Sequence, residues 1–173
     1  MTSPRVLLNA YNVRAKKNLG QHFLSDPSTA RMIVNRSKIT SEDVVLEIGA
    51  GLGALTLPVS HSAKKVFAVE KDRPIIDLLK TQLLASDLSN VVLMDNNILD
   101  IDINALADEA KSKMVVICNL PYNISSQILI KLIESRRNVS RAIFMFQKEL
   151  AAYYRSPKLQ GLQPTIGNAS ILR

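Results

Sequence analysis

The 173-residue sequence predicts a doubly wound α/β domain, a mostly parallel sheet with helices on both faces. Five short apolar runs alternate with stretches of helical period along the chain. Each run is near-continuously apolar, as expected of strands buried on both faces rather than half-exposed. The first of them runs straight into a glycine-rich turn, Gly49-Ala50-Gly51-Leu52-Gly53, the place where such folds bind a ligand.

In chain order, Asp26-Pro27 reads as a helix cap followed by proline at the first helical position, opening a helix to about Lys38 with Met32, Ile33 and Val34 on its apolar face. Val44 to Ile48 is the first strand. A helix follows from about Ala54 to His61, bent or ended near Pro58. Val66 to Glu70 is the second strand. Pro74 to about Ser86 is a helix that buries Ile75, Ile76, Leu78, Leu79, Leu83 and Leu84. Val91 to Met94 is the third strand, Ile103 to Ala110 a helix, and Met114 to Cys118 the fourth strand. A helix from Ser125 to Ser135 carries Ile128, Leu129, Leu132 and Ile133. Ala142 to Phe146 is the fifth strand, and Gln147 to about Tyr154 opens another helix. From Arg155 to Arg173 there is no acid and no clear period, and only a weak strand signal around Thr165. The organisation is therefore a basic arm (1–25), a catalytic domain (26–154) and a poorly patterned tail (155–173).

No apolar run approaches the roughly 18 residues that span a bilayer, so the chain reads as soluble. The single cysteine, Cys118, lies inside an apolar strand and reads as core; with two histidines far from it in sequence, no metal site is expected. One cysteine also fits a reducing, cytoplasmic setting, although an acid-free Met1–Ser25 is equally what an organellar transit segment would leave. Of the net charge of +7, nearly all lies before residue 39: Arg5, Arg14, Lys16, Lys17, Arg31, Arg36 and Lys38 face only Asp26. Such an arm suits a phosphate-rich partner.

The glycine turn leaves two cofactors open. Gly49, Gly51 and Ala54 satisfy a dinucleotide fingerprint as well as a nucleoside-binding turn, and Glu70 ends the second strand at the right distance to accept both hydroxyls of a ribose in either case. Asp95-Asn96-Asn97 ends the third strand, where a side chain can meet an adenine amine or merely form a turn.

Asn119-Leu120-Pro121-Tyr122 follows the fourth strand and narrows the chemistry. The Asn119 amide oxygen and the Leu120 carbonyl can accept the two hydrogens of an aromatic amine, turning its lone pair toward an electrophilic methyl. Pro121 fixes the turn and donates no hydrogen bond. Tyr122 can stack on a flipped base, worth roughly 1–3 kcal/mol. The arrangement calls for positioning rather than a general base.

Lys17-Asn18-Leu19-Gly20-Gln21-His22-Phe23-Leu24, Glu47 to Gly53, Asn119 to Ser125 and Gln147-Lys148-Glu149 together resemble the small-subunit rRNA adenine dimethyltransferases, over about Ala15 to Tyr154. The resemblance implies a Rossmann-like S-adenosylmethionine-dependent methyltransferase fold and dimethylation of two adjacent adenosines in small-subunit rRNA, within an immature ribosomal subunit, by a monomer. It implies that His22 and Leu24 line the methionine side of the cofactor, with Gly49 and Gly51 beneath it. Glu70 would hold the ribose, Asn97 the adenine, and Asn119 would lie between cofactor and target amine, with Tyr122 as the stacking ring. The arm would close over the pocket and touch RNA. Asn97 stands where the family usually has Asp, which leaves Asp95 as an alternative adenine contact. After Lys148-Glu149 the family continues through two more strands and a helical domain, so the sequence reads as truncated, with its fifth strand left as an unpaired edge. The related macrolide-resistance enzymes of large-subunit rRNA are the alternative, disfavoured by Leu120 and by Gln-His-Phe-Leu; a non-catalytic RNA-binding assembly factor is the alternative of another class. A nicotinamide oxidoreductase ranks last.

Overall fold

The computed structural model describes residues 4–13, 23–24, 26–119, 124–145 and 170–172. Its strands are β1 (Val44–Ile48), β2 (Lys65–Glu70), β3 (Val91–Asp95), β4 (Met114–Asn119), β5 (Val139–Met145) and β6 (Ser170–Leu172). The helices are α1 (Pro4–Ala10), α2 (Pro27–Ser37), α3 (Thr56–Ser60), α4 (Arg73–Ala85), α5 (Ile103–Ala110) and α6 (Ser125–Glu134). The sheet order is β3-β2-β1-β4-β5-β6, and every neighbouring pair is parallel. After β3 the chain crosses back to the other side of β1, so the strand order reverses between β1 and β4. A crevice at the carboxyl ends of these strands is where an open parallel sheet takes its ligand.

Each face of the sheet carries its own core. Val44, Leu46 and Ile48 alternate with Val45, as a period of two requires, so the two sets face opposite sides. On one side Leu46, Phe67, Met114 and Val116 pack under Ile103 and Leu106 of α5 and Ile128 and Leu132 of α6. On the other, Val45, Val66, Ala68, Val115 and Ile117 pack under Ile33 of α2, Val59 of α3 and Leu79 of α4. A bulge at the start of β4–β5 moves the pairing from Met114↔Val139 to Val115↔Arg141. Arg141 then reaches back to Asp43 (2.9 Å) and to the Ser37 and Lys38 carbonyls, tying β5 to the loop between α2 and β1.

Asp26 caps α2 by accepting the amides of Ser28 and Thr29 at 2.9 and 3.2 Å. Pro58 does not bend α3. It occupies the first turn, where its missing N–H has no intrahelical acceptor to lose.

Four expectations change. Leu84 is 83 % exposed: Leu79 and Leu83 set the buried stripe of α4, and one further residue turns about 100° out of it. Ile133 is likewise exposed on α6. The basic arm contains a helix, α1, whose Leu8 is buried against Leu52, Ile75 and Leu78. The edge of β5 is not unpaired, since Ser170–Leu172 runs beside Ile143–Met145; a three-residue strand is too short to show a period. The helix expected from Gln147 and the strand signal at Thr165 lie outside the described residues.

Gly53 shows how tightly α4 holds the glycine turn. Its φ is +81°, and a Cβ there would stand 2.6 Å from Cδ1 of the fully buried Leu79. Gly53→Ala is therefore expected to lower unfolding stability by about 1–3 kcal/mol, read from urea denaturation. An unchanged midpoint would mean that α4 and the turn are not locked together.

Candidate cofactor and amine site

The turn is held from below by β2. The amides of Gly49 and Ala50 both donate to the Val69 carbonyl, at 2.9 and 3.0 Å. Gly49 has φ +78°, a conformation glycine adopts freely, and a Cβ on it would come within 3.4 Å of the Asn119 carbonyl oxygen. The turn after β1 and the tip of β4 thus abut, backbone to backbone. From α4, Gln82 donates to the Leu52 carbonyl at 2.8 Å and pins the far side.

Glu70, half-buried at the end of β2, is oriented by three amides. Gly51 donates to its Oε2 at 3.0 Å, and Lys71 and Asp72 donate to its Oε1 at 2.9 and 3.0 Å. A carboxylate has about four lone-pair sites, so one acceptor site, on Oε2, remains for a ribose hydroxyl. Phe23 lies on the other side of the turn, its ring atoms 3.4 Å from where a Gly51 Cβ would stand. Leu24 packs at the edge of the core that contains Ala30 and Ala50. Phe23 and Leu24 thus lie beside the glycine turn.

At the end of β3 the two candidate adenine contacts have different surroundings. Asp95 pairs with Arg73 at 2.8 Å on an exposed edge. Asn97 accepts the Leu99 amide at 3.2 Å and caps a short 3₁₀ turn, Ile98–Asp100. The turn-forming role of an Asx residue is realised here, and the oxygen of Asn97 keeps a second lone pair. Asn119 is half-buried at the tip of β4. The remaining sequence-derived candidates, His22, Leu120, Pro121 and Tyr122, lie outside the described residues.

Sequence reasoning gave Glu47 no role, yet it is the most unusual side chain of the site. It is 1 % exposed in the middle of the sheet, and its Oε2 has no hydrogen-bond partner among the described residues. Burial pushes its carboxyl up to about 8; the hydroxyl and amide of Thr56 oppose the rise and the charge of Glu70 adds to it. Burial likewise pushes the Cys118 thiol well above its usual range, with Glu47 adding to the effect, so Cys118 is a neutral core residue. The signal for Glu47 was in the sequence: an acid inside Val44-Val45-Leu46-Glu47-Ile48, where alternation buries every position.

The parallel sheet, its switch point beside a glycine turn, and an acid closing β2 define a Rossmann-like fold that binds a nucleoside cofactor. The cradle at Gly49 and the orphaned Glu47 oxygen beneath it fit a cationic nucleoside such as S-adenosylmethionine. A profile of the family described as ribosomal RNA adenine dimethylase matches residues 12–156, and the chain belongs to that family. It is 50% identical over 150 residues to ribosomal RNA small subunit methyltransferase A of Desulforapulum autotrophicum, covering 87% of this chain and 52% of the relative. With the protein of the same name from Leuconostoc mesenteroides it shares 39% identity, covering 87% and 51%. The chain thus spans about half the length of these curated relatives. Among solved structures it is similar to a dimethyladenosine transferase from Plasmodium falciparum, at TM-score 0.68 and 33% identity, over 78% of this chain and 46% of that one. The 23S rRNA methyltransferase ErmE shares the fold at TM-score 0.61 and 24% identity, over 70% and 46%.

Proposed function

We propose that this chain binds S-adenosylmethionine and carries the catalytic face of an enzyme that dimethylates two adjacent adenosines of small-subunit rRNA, in an immature ribosomal subunit. The observation that carries the reading is the abutment of Gly49 on the Asn119 carbonyl: it sets the cofactor turn directly beside the strand tip suited to an aromatic amine. Family membership supports the substrate class.

The cofactor, when bound, supplies an electrophilic methyl on a cationic sulphur. The protein's own residues do the rest. Glu70, already aligned by three amides, accepts from a ribose hydroxyl through its remaining site on Oε2. Asn97 faces the adenine; Asp95, engaged by Arg73, is the weaker candidate. Gly49 and Gly51 let the cofactor lie against the backbone, and His22 and Leu24 line its methionine side. The Asn119 amide oxygen and the Leu120 carbonyl accept the hydrogens of the target amine, Pro121 holds their turn, and Tyr122 stacks on the extruded base. The basic arm, anchored by Leu8, lies against the RNA. The protein works as a cytoplasmic monomer without a metal. Among the described residues no helix is long and apolar enough to cross a membrane.

Calorimetry with S-adenosylmethionine, followed by radiolabelled methyl transfer to immature small subunits, tests the reading. Binding together with transfer to adenosine supports it. Binding without transfer assigns the chain to RNA-binding assembly work instead, and binding of NAD but not of S-adenosylhomocysteine would sink the cofactor assignment.

A further inference from the structure

Glu47 is buried in the sheet two residues before the turn that the cofactor occupies. Its strand partners are Ala68 and Ile117, both apolar and buried. The face it shares with Val45 carries Ile33 from α2 and Leu79 from α4, and α3 meets it with Thr56, whose hydroxyl and amide are the polar groups that favour its ionised form. One titratable group acts on it electrically, Glu70 at the end of β2; the neutral thiol of Cys118 in β4 lies near enough to feel Glu47 in turn. Among these neighbours there is no cation. An uncompensated carboxyl in such a place stays neutral, because ionisation in a low dielectric is costly.

Resting on the cofactor reading above, we infer that Glu47 is a proton-linked positioning residue: neutral while the turn is empty, it ionises as the cationic cofactor settles on the turn, releasing its proton to solvent and leaving a counter-charge beneath the ligand. Glu70 provides the physical precedent. Its negative charge reaches Glu47 and makes ionisation harder; a positive charge brought to the Glu70 side of the turn acts with the opposite sign over a similar distance. The carboxylate so formed favours the cationic cofactor over its neutral-sulphur product, S-adenosylhomocysteine, and so favours exchange of product for fresh cofactor. The proton balance is one lost from Glu47 and one gained by buffer; no bond to carbon changes.

Calorimetric titration near pH 7 in buffers of different ionisation enthalpy counts the protons released. The wild type is expected to release close to one more proton with S-adenosylmethionine than Glu47→Gln does, and much less with S-adenosylhomocysteine. The variant keeps the shape of the neutral carboxyl and removes the titration, and it subtracts any proton that comes from the amino group of the ligand. Equal proton release by wild type and Glu47→Gln would overturn the inference. Should the variant not fold, infrared spectroscopy of the wild type decides. The carbonyl band of a buried carboxylic acid is expected to disappear with S-adenosylmethionine and to persist with S-adenosylhomocysteine, and its persistence with both overturns the proposal. Absence of binding heat with either ligand is a different failure, that of the cofactor reading itself.

Discussion

Asn119→Ala is expected to lower methyl transfer about 10²–10³-fold, the range seen when one preorganised polar group at a reacting centre is deleted, with the Kd for S-adenosylmethionine within a few-fold of wild type. The asymmetry follows from which part of the residue does what. The backbone carbonyl of Asn119 abuts Gly49, and alanine keeps that carbonyl; in the proposed mechanism the amide side chain at the tip of β4 is what meets the amine. An aromatic amine has its lone pair delocalised into the ring, so its nitrogen must pyramidalise before it attacks. An oxygen accepting one of its hydrogens favours that geometry only as the reaction proceeds. Loss of such an interaction lowers kcat and kcat/KM together. Single-turnover transfer, with cofactor binding measured separately by calorimetry, checks it. A weakened Kd with normal turnover at saturating cofactor would show that Asn119 serves cofactor binding alone.

Unfolding stability of the cofactor-free protein is expected to fall as pH rises through the window between about 4.5 and about 8, and Glu47 is the cause. In the unfolded chain its carboxyl ionises near its ordinary value of 4.5; in the folded protein burial holds the proton until about 8. Between these limits the native state binds more protons than the unfolded state, so each pH unit gained costs up to about 1.4 kcal/mol. Above the window both states are ionised and the loss is constant. Glu47→Gln is expected to remove this slope and to be more stable than wild type at pH 8, because the buried ionised group is gone. Urea denaturation across the window, wild type against variant, gives the comparison. Parallel pH profiles would show that Glu47 is paired or solvated in solution. Together with the proton count on cofactor binding, the experiment separates a stability defect from a linked binding site.

Stability given up inside a sheet needs a reason. A leucine or valine at position 47 would match its neighbours Ala68 and Ile117 and carry no ionisable group. Placing an acid there, two residues before Gly49, concentrates the cost where a cationic ligand arrives.

Several elements were legible from residue pattern alone because their causes are local. Val44–Ile48, Ile103–Ala110 and Asp26-Pro27 emerge where periodicity and capping place them. Other features depend on neighbours distant in sequence. The burial of Leu8 requires Ile75 and Leu78 of α4. The place of Ser170–Leu172 depends on an open edge of β5 rather than on any pattern in three residues. Leu83 and Leu84 have similar side chains, and only the direction of the α4 stripe sends one inward and the other to solvent.

The sequence by itself determined the class of fold, the glycine turn, the acid at the end of β2 and the polar tip of β4, since each is written in contiguous residues with a direct steric or hydrogen-bonding cause. Only the tertiary structure decided that the turn and the β4 tip touch at Gly49 and Asn119, that three amides aim Glu70, and that Glu47 is buried with no counter-charge among the described residues. Contact, orientation and desolvation are properties of the space between elements, and no single segment of the chain carries them.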